Sequence, residues 1–167
     1  MLGANQVVTV WNRYRDEDNL DAFHRTIIPV LCKYETKIVR TVTSPPTGGL
    51  ATTILSNIQV VIIPYTPMYL APKEWLPWWL LHRNVFWDDE EDWNDEGIWN
   101  ESDEPNCFTL QVNDLIALGE HDTEITMTSP NRESEILQQL GPNIFRIKAV
   151  QDNTLVRLGR GWKVEGV

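Results

Sequence analysis

Hydrophobic and polar positions alternate with a period of two through much of this chain, so strands are the first expectation. Residues 6–14 (QVVTVWNRY) alternate β-branched and polar side chains and end in Trp11 and Tyr14; Asp16–Asn19 then reads as a polar turn. Residues 23–43 (FHRTIIPVLCKYETKIVRTVT) predict two strands broken near Lys33–Thr36. Pro29 must sit at an edge or a bulge there, because proline cannot donate to a ladder. Ser44-Pro45-Pro46-Thr47-Gly48-Gly49 is a loop signal. Leu50–Asn57 reads as a short strand or part of an arm, and 58–65 (IQVVIIPY), the most β-branched run, as a central core strand.

The pattern changes at Thr66. Pro64, Pro67, Pro72 and Pro77 punctuate an aromatic stretch that excludes a long helix, and an acidic, Trp-spaced segment continues to Pro105. Residues 66–105 are thus expected to form an irregular arm of about 40 residues, well beyond an ordinary connection. Order returns at Phe108, where FTLQVNDLIALGE predicts two short strands around Asn113-Asp114, with Gly119 following. Ser129-Pro130 predicts a helix start, with the Ser hydroxyl as N-cap and Pro at the first helical position. Ile136, Leu137 and Leu140 form its apolar face and Gly141-Pro142 its end. NIFRIKAVQDN alternates as a strand, Asn153 turns the chain, and RGWKVEGV closes it. The expected fold is mainly β: a single domain over 1–167, a small β-barrel or sandwich with one short helix near its C-terminal end. Its core lies in 6–65 and 108–167, and the arm is a long irregular insertion.

Composition sharpens the picture at the arm. The chain has 167 residues and a net charge of −10, from 24 acids against 14 Lys and Arg. Ten of the acids, including Asp88, Asp89, Glu90, Glu91 and Asp92, lie between 88 and 104, and the rest of the chain is electrically neutral. Six of its eight tryptophans (Trp75, Trp78, Trp79, Trp87, Trp93 and Trp99) lie in or beside that segment. Such a charge balance argues against a sequence-independent nucleic-acid binder, which needs a basic surface. No run reaches the roughly 20 apolar residues of a membrane span. Met1–Ala4 leads straight into a strand without a secretory leader. Cys32 and Cys107 read as two buried free thiols rather than a disulfide framework, as in a protein made in a reducing cytoplasm.

Chemistry-bearing motifs are scarce. There is no phosphate-binding glycine loop, no nucleophile elbow, no HExxH and no CxxC. His24, His82 and His121 are isolated and lack ligand spacing; Glu120, His121 and Asp122 read as a solvated turn rather than an acid–base pair. The acidic run lacks the spacing of a calcium loop. No cofactor, metal or catalytic residue is expected, and an enzyme is not. What stands out is an aromatic anchor every few residues within a charged segment. Disordered segments are poor in aromatics, whereas Trp is enriched among residues that dominate interfaces. The six tryptophans and the acids 88–92 are therefore the candidate partner interface, facing a surface of Arg and Lys beside apolar pockets.

Two stretches carry a family resemblance. Val8-Thr9-Val10-Trp11-Asn12 followed by Phe23-His24-Arg25-Thr26-Ile27 resembles the opening of small proteins encoded among the head–tail joining genes of tailed bacteriophages and prophages. FTLQVNDLIALGEHDTEIT and NIFRIKAVQDNTLVRLGRGWKVEGV resemble their C-terminal half, the matching positions being Asp114, Gly119, Ile125, Asp152, Asn153, Trp162, Lys163, Val164 and Gly166. The resemblance covers roughly 6–65 and 108–167 but not the acidic arm. It implies a structural virion protein of the head–tail connector or neck, without enzymatic activity. Such a protein forms a ring with copies of itself between the portal or adaptor and tail-terminator-type proteins, with passive contact to DNA in the channel. It is made in the host bacterial cytoplasm and makes no membrane contact.

Two other readings stand beside it. The acidic arm suits a binding or inhibitory module that acts as a decoy for a basic surface, whose affinity falls with salt. Tryptophan platforms with carboxylates also suit a carbohydrate-acting protein, which needs two carboxylates about 5–10 Å apart beside a cleft.

Overall fold

The computed structural model describes residues 4–16, 18–43, 52–82, 107–155 and 160–167. Seven strands form one antiparallel sheet: β1 Val8–Arg15, β2 Asp21–Ile27, β3 Lys33–Thr43, β4 Thr52–Pro64, β5 Leu115–Leu118, β6 Ile144–Asp152 and β7 Gly161–Gly166. Their order across the sheet is β2-β1-β5-β6-β7-β4-β3. The sheet is not closed, so the expected β architecture is present without a barrel seam. It is nevertheless strongly curled. Val8 and Val10 of β1 share one buried cluster with Val61 and Ile63 of β4, although three strands separate them in the sheet. Strand β6 makes this turn possible: Ile144–Arg146 pair with β5, while the segment from Ile147 onward pairs with β7 across an irregularity between Ile147 and Ala149. Extra residues of this kind bend a strand and sharpen its twist.

The two faces of the sheet carry two cores. On the concave face lie Val8, Val10, Val61, Ile63, Ile116, Phe145, Ile147, Trp162 and Val164, together with Phe108 and Leu110. On the other face Trp11, Leu115, Ala117 and Ile144 pack against Ile125 and Ile136. Period-two alternation within β1 thus sends Val8 and Val10 to one core and Trp11 to the other. The C-terminal helix α2, Glu133–Leu140, covers the second core through Ile136, with Leu137 and Leu140 at its margin. It starts four residues beyond the expected Ser129 cap. The Ser129 hydroxyl donates to Glu135 Oε1 (2.7 Å) instead of accepting from a backbone N–H, and Glu135 Oε2 accepts from the Arg132 N–H (2.9 Å).

Residues 66–82 correct the expectation of an irregular arm. Pro72–His82 form an α-helix, α1, with Pro77 inside it. Pro72 costs nothing at the first position, where its missing N–H would have no partner. Pro77 removes one interior hydrogen bond, and packing overrides that loss. Trp75 and Trp79, four residues apart on one face, stack against each other and seat on Tyr14 of β1 and His24 of β2. Trp75 Nε1 donates to the Cys107 carbonyl (3.2 Å). The remaining differences are local. The break after β2 falls at Ile28–Cys32 rather than Lys33–Thr36, and residues 52–64 form one unbroken strand. Between Phe108 and Gly119 only Leu115–Leu118 is a strand; Phe108 makes an isolated parallel bridge to Tyr69.

Candidate assembly surface and the Asp114 site

Strands β3 and β4 form the most conspicuous surface feature. They pair from Lys33–Ile62 to Thr43–Thr52, but β7 accompanies β4 only from Gln59 to Pro64. Among the described residues, the outer seven pairs, Lys37–Ile58 through Thr43–Thr52, have no third strand. At about 3.3 Å per residue this free hairpin reaches roughly 23 Å beyond the sheet. Two-stranded hairpins on their own are marginal in water, and this one exposes apolar side chains among polar ones: Ile38 is 71% exposed, Leu55 67%, Val42 55% and Ile54 52%. Other exposed apolar side chains, such as Leu20, Val112 and Met127, are scattered singly, as on any protein surface. The sequence signal for the hairpin was available, in two alternating runs of similar length flanking the Pro-Pro-Thr-Gly-Gly loop. Reading Leu50–Asn57 apart from the core strand concealed it.

At the opposite end of the sheet, Asp114 occupies a turn that is tied to β1. Its side chain is buried, and its carboxylate accepts from Asn12 Nδ2 (2.8 Å), the Arg13 N–H (2.9 Å) and the Gln111 N–H (2.9 Å). Asn12 completes the tie: Nδ2 also donates to the Thr109 carbonyl (2.8 Å) and Oδ1 accepts from the Thr109 N–H (3.2 Å). Burial pushes the Asp114 carboxyl up to about 7, against the three donors, which hold it down. A cleft of about 370 Å³ opens beside it, lined by Arg13, Tyr14, Arg15, Asp21 and Gln111–Asp114. The Arg13 guanidinium is bonded to Asp21 and holds that carboxyl below its ordinary range. With its oxygens committed to N–H donors and no His, Ser or Cys in the lining, Asp114 is placed as a clamp between strand and turn.

The other residues singled out in the sequence are placed as follows. Gly119 turns the chain out of β5 at a φ of 96°, and its carbonyl accepts from Thr9 Oγ1 (2.9 Å). Asp152 accepts from the Thr154 N–H (2.8 Å), and the Asn153 N–H donates to the Gly161 carbonyl (2.9 Å), which together shape the β6–β7 connection. Trp162 is buried between Tyr69 and Tyr65, with ring centroids 4.1 and 5.9 Å away. Trp75 is buried in the chain's own fold, and Trp79 stacks on His24 at 3.8 Å; Trp78 falls within the range of α1. Trp87, Trp93, Trp99, Asp88, Asp89, Glu90, Glu91 and Asp92 lie outside the described residues.

His121, expected in a solvated turn, is anchored instead. Its Nε2 lies 2.8 Å from the Leu118 carbonyl and its ring 6.1 Å from that of Trp11. Both cysteines are free thiols; Cys32 is buried and Cys107 partly so. Among the described residues, no three His, Cys, Asp or Glu side chains are grouped to hold a metal ion, and no helix is long and apolar enough to cross a membrane.

No curated protein and no solved structure matches the chain. A family model does, over residues 3–167, and the chain belongs to that family, a family of unknown function (DUF6751).

Proposed function

We propose that this protein is a structural virion protein of the head–tail connector of a tailed bacteriophage, a ring subunit that joins the portal or its adaptor to the tail. The observation that carries the reading is the free β3–β4 hairpin. A two-stranded projection that exposes Ile38, Val42, Ile54 and Leu55 on a well-packed body suits a subunit that reaches a neighbour. The open sheet, with β2 and β3 at its two edges, gives the body distinct surfaces at opposite ends. Distinct surfaces suit heterologous contacts, and these close into rings when the rotation between subunits permits. The resemblance of residues 6–65 and 108–167 to head–tail joining proteins supplies the setting. The site at Asp114 fits a structural role, since its carboxyl fastens a turn to β1 through three N–H donors.

The test is assembly. The purified chain, alone and with the portal and tail-terminator proteins of the same genome, is expected to give closed rings by negative-stain electron microscopy and native mass spectrometry. A chain that stays monomeric with those partners would sink the reading. The ten acids between 88 and 104 support a second reading, an acidic module that engages a basic protein. It predicts a monomer whose binding weakens steeply between about 50 and 500 mM salt.

A further inference from the structure

We infer that the outer halves of the β3–β4 hairpins of successive copies of this chain pair edge to edge, β3 of one against β4 of the next, in an antiparallel sheet that runs between subunits. The inference deepens the connector reading and rests on it for the closing of that sheet into a ring.

Both edges of the outer hairpin are bare. β3 ends the sheet along its whole length, and β4 has β7 beside it only from Gln59 to Pro64. Among the described residues, therefore, neither 37–43 nor 52–58 has a strand on its outer side. Alternate residues of an antiparallel strand turn both N–H and C=O outward, which leaves about three or four such residues at each edge. Natural edges are guarded by proline, by bulges, by a covering element or by charge. Here the register is unbroken from Lys33–Ile62 to Thr43–Thr52. Residues 37–43 and 52–58 hold no Pro or Gly, nine of the fourteen are β-branched, and Lys37 and Arg40 are their only charges. Residues 36–43 and 53–57 are exposed without exception, so neither face of the hairpin is covered among the described residues. The other edge of the sheet is guarded: β2 is partly or fully buried along its length, Trp79 of α1 stacks on His24, and Arg25 donates to the His121 carbonyl (3.0 Å).

Strand direction and charge select the occupant. A bare edge takes another strand, and a second copy of the hairpin brings two. Full antiparallel overlap of 37–43 with its own copy is centred on Arg40 and sets Arg40 opposite Arg40, and like charges directly opposite are destabilising. That pairing also leaves every β4 edge unused, as a pairing of β4 with β4 leaves every β3 edge unused. β3 against β4 sets Lys37 and Arg40 beside 52–58, a strand without a charged residue, and occupies both edges of each copy. β3 and β4 run antiparallel within the hairpin, so one rotation repeated from copy to copy places each β3 antiparallel to the next β4. The contact is heterologous, and once it closes no edge remains. Ile38, Val42 and Leu55 on one face, and Val39 and Ile54 on the other, each gain a cross-strand neighbour.

The experiment places a photo-crosslinking benzoylphenylalanine at Val39 or at Ser56 of ¹⁵N-labelled full-length chain, mixes it with unlabelled chain, and maps inter-copy products by mass spectrometry. From Val39 the cross-links are expected at residues 52–58 of the unlabelled copy, and from Ser56 at residues 37–43. Cross-links from β3 to β3, from β4 to β4 or from the hairpin to the body overturn the inference, as does a mixture without inter-copy product. Electron microscopy of the same mixture separates the inference from the connector reading. Expected cross-links in dimers or open filaments sink the connector reading and leave the edge pairing standing; rings with cross-links elsewhere do the reverse. The double variant Ile54→Lys, Ser56→Lys sets cations beside the neighbour's Lys37 and Arg40 at two exposed positions. It should raise the concentration needed for assembly at least tenfold while leaving circular dichroism and melting temperature unchanged. Unaltered assembly by that variant overturns the inference.

Discussion

Replacing Asp114 by alanine would strand three donors at once: Asn12 Nδ2, the Arg13 N–H and the Gln111 N–H, all within 2.9 Å of the carboxylate. A buried donor left without an acceptor costs about 1–3 kcal/mol. Removing the carboxylate also removes its desolvation penalty, which the raised value of about 7 records. The net expectation for Asp114→Ala is a loss of about 2–4 kcal/mol, read as a lower midpoint in urea at unchanged slope. Asp114→Asn keeps one acceptor oxygen but turns an amide N–H₂ toward a donor, and should cost about 1–3 kcal/mol. The pH dependence has a definite sign. In the unfolded chain the carboxyl titrates near 3.8, in the folded chain near 7. Between those values the native state holds more protons, so this group's contribution is fully present below about pH 4 and is lost as pH rises through 7. At about 1.36 kcal/mol per pH unit the difference amounts to about 4 kcal/mol. Asp114→Asn lacks this titration, so between pH 5 and pH 8 wild type should lose about 2–3 kcal/mol that the variant does not. If Asp114→Ala loses less than about 0.5 kcal/mol, or if both proteins show the same pH slope, the clamp described here is wrong.

Three further outcomes follow from the packing. Trp75→Ala removes the fully buried anchor of α1 and should cost about 3–5 kcal/mol in chemical denaturation; a loss under about 1 kcal/mol would mean that the helix is not seated on Tyr14 and His24. Gly161→Ala should destabilise by about 2–4 kcal/mol, because a Cβ there would overlap the Ile63 carbonyl oxygen at a φ of 153°; a melting temperature equal to wild type would refute that close approach. The Cys32 thiol, pushed up to about 12 by burial, should resist a thiol reagent at pH 8 until the chain unfolds, and labelling at the rate of an unfolded control would contradict its place in the core.

Much of the fold was legible because it rests on local alternation. The runs at 6–14, 144–153 and 161–167 became β1, β6 and β7 nearly residue for residue, and Gly119 and Asn153 marked real turns. The helix at 133–140 showed in the spacing of Ile136, Leu137 and Leu140; its start was misplaced because the Ser129 hydroxyl served a carboxylate rather than the backbone. Asp114 was noticed only for its position in a motif. That it is buried could not be read, since its partners Asn12 and Arg13 lie about a hundred residues away along the chain.

By itself, the sequence determined the strand-rich class, the short C-terminal helix, the concentration of acid between 88 and 104, and the free thiols. Each depends on composition or on neighbours a few residues apart. Tertiary structure alone decided the rest. Proline punctuation excluded a long helix and left 66–105 as an irregular arm, and packing on Tyr14 and His24 supports a short one around Pro77. Alternation at 33–43 and 52–64 specified two strands but not where the next strand would end. Pairing with β7 reaches β4 only as far as Gln59, and among the described residues Ile38, Val42 and Leu55 beyond it are exposed instead of lying in a core.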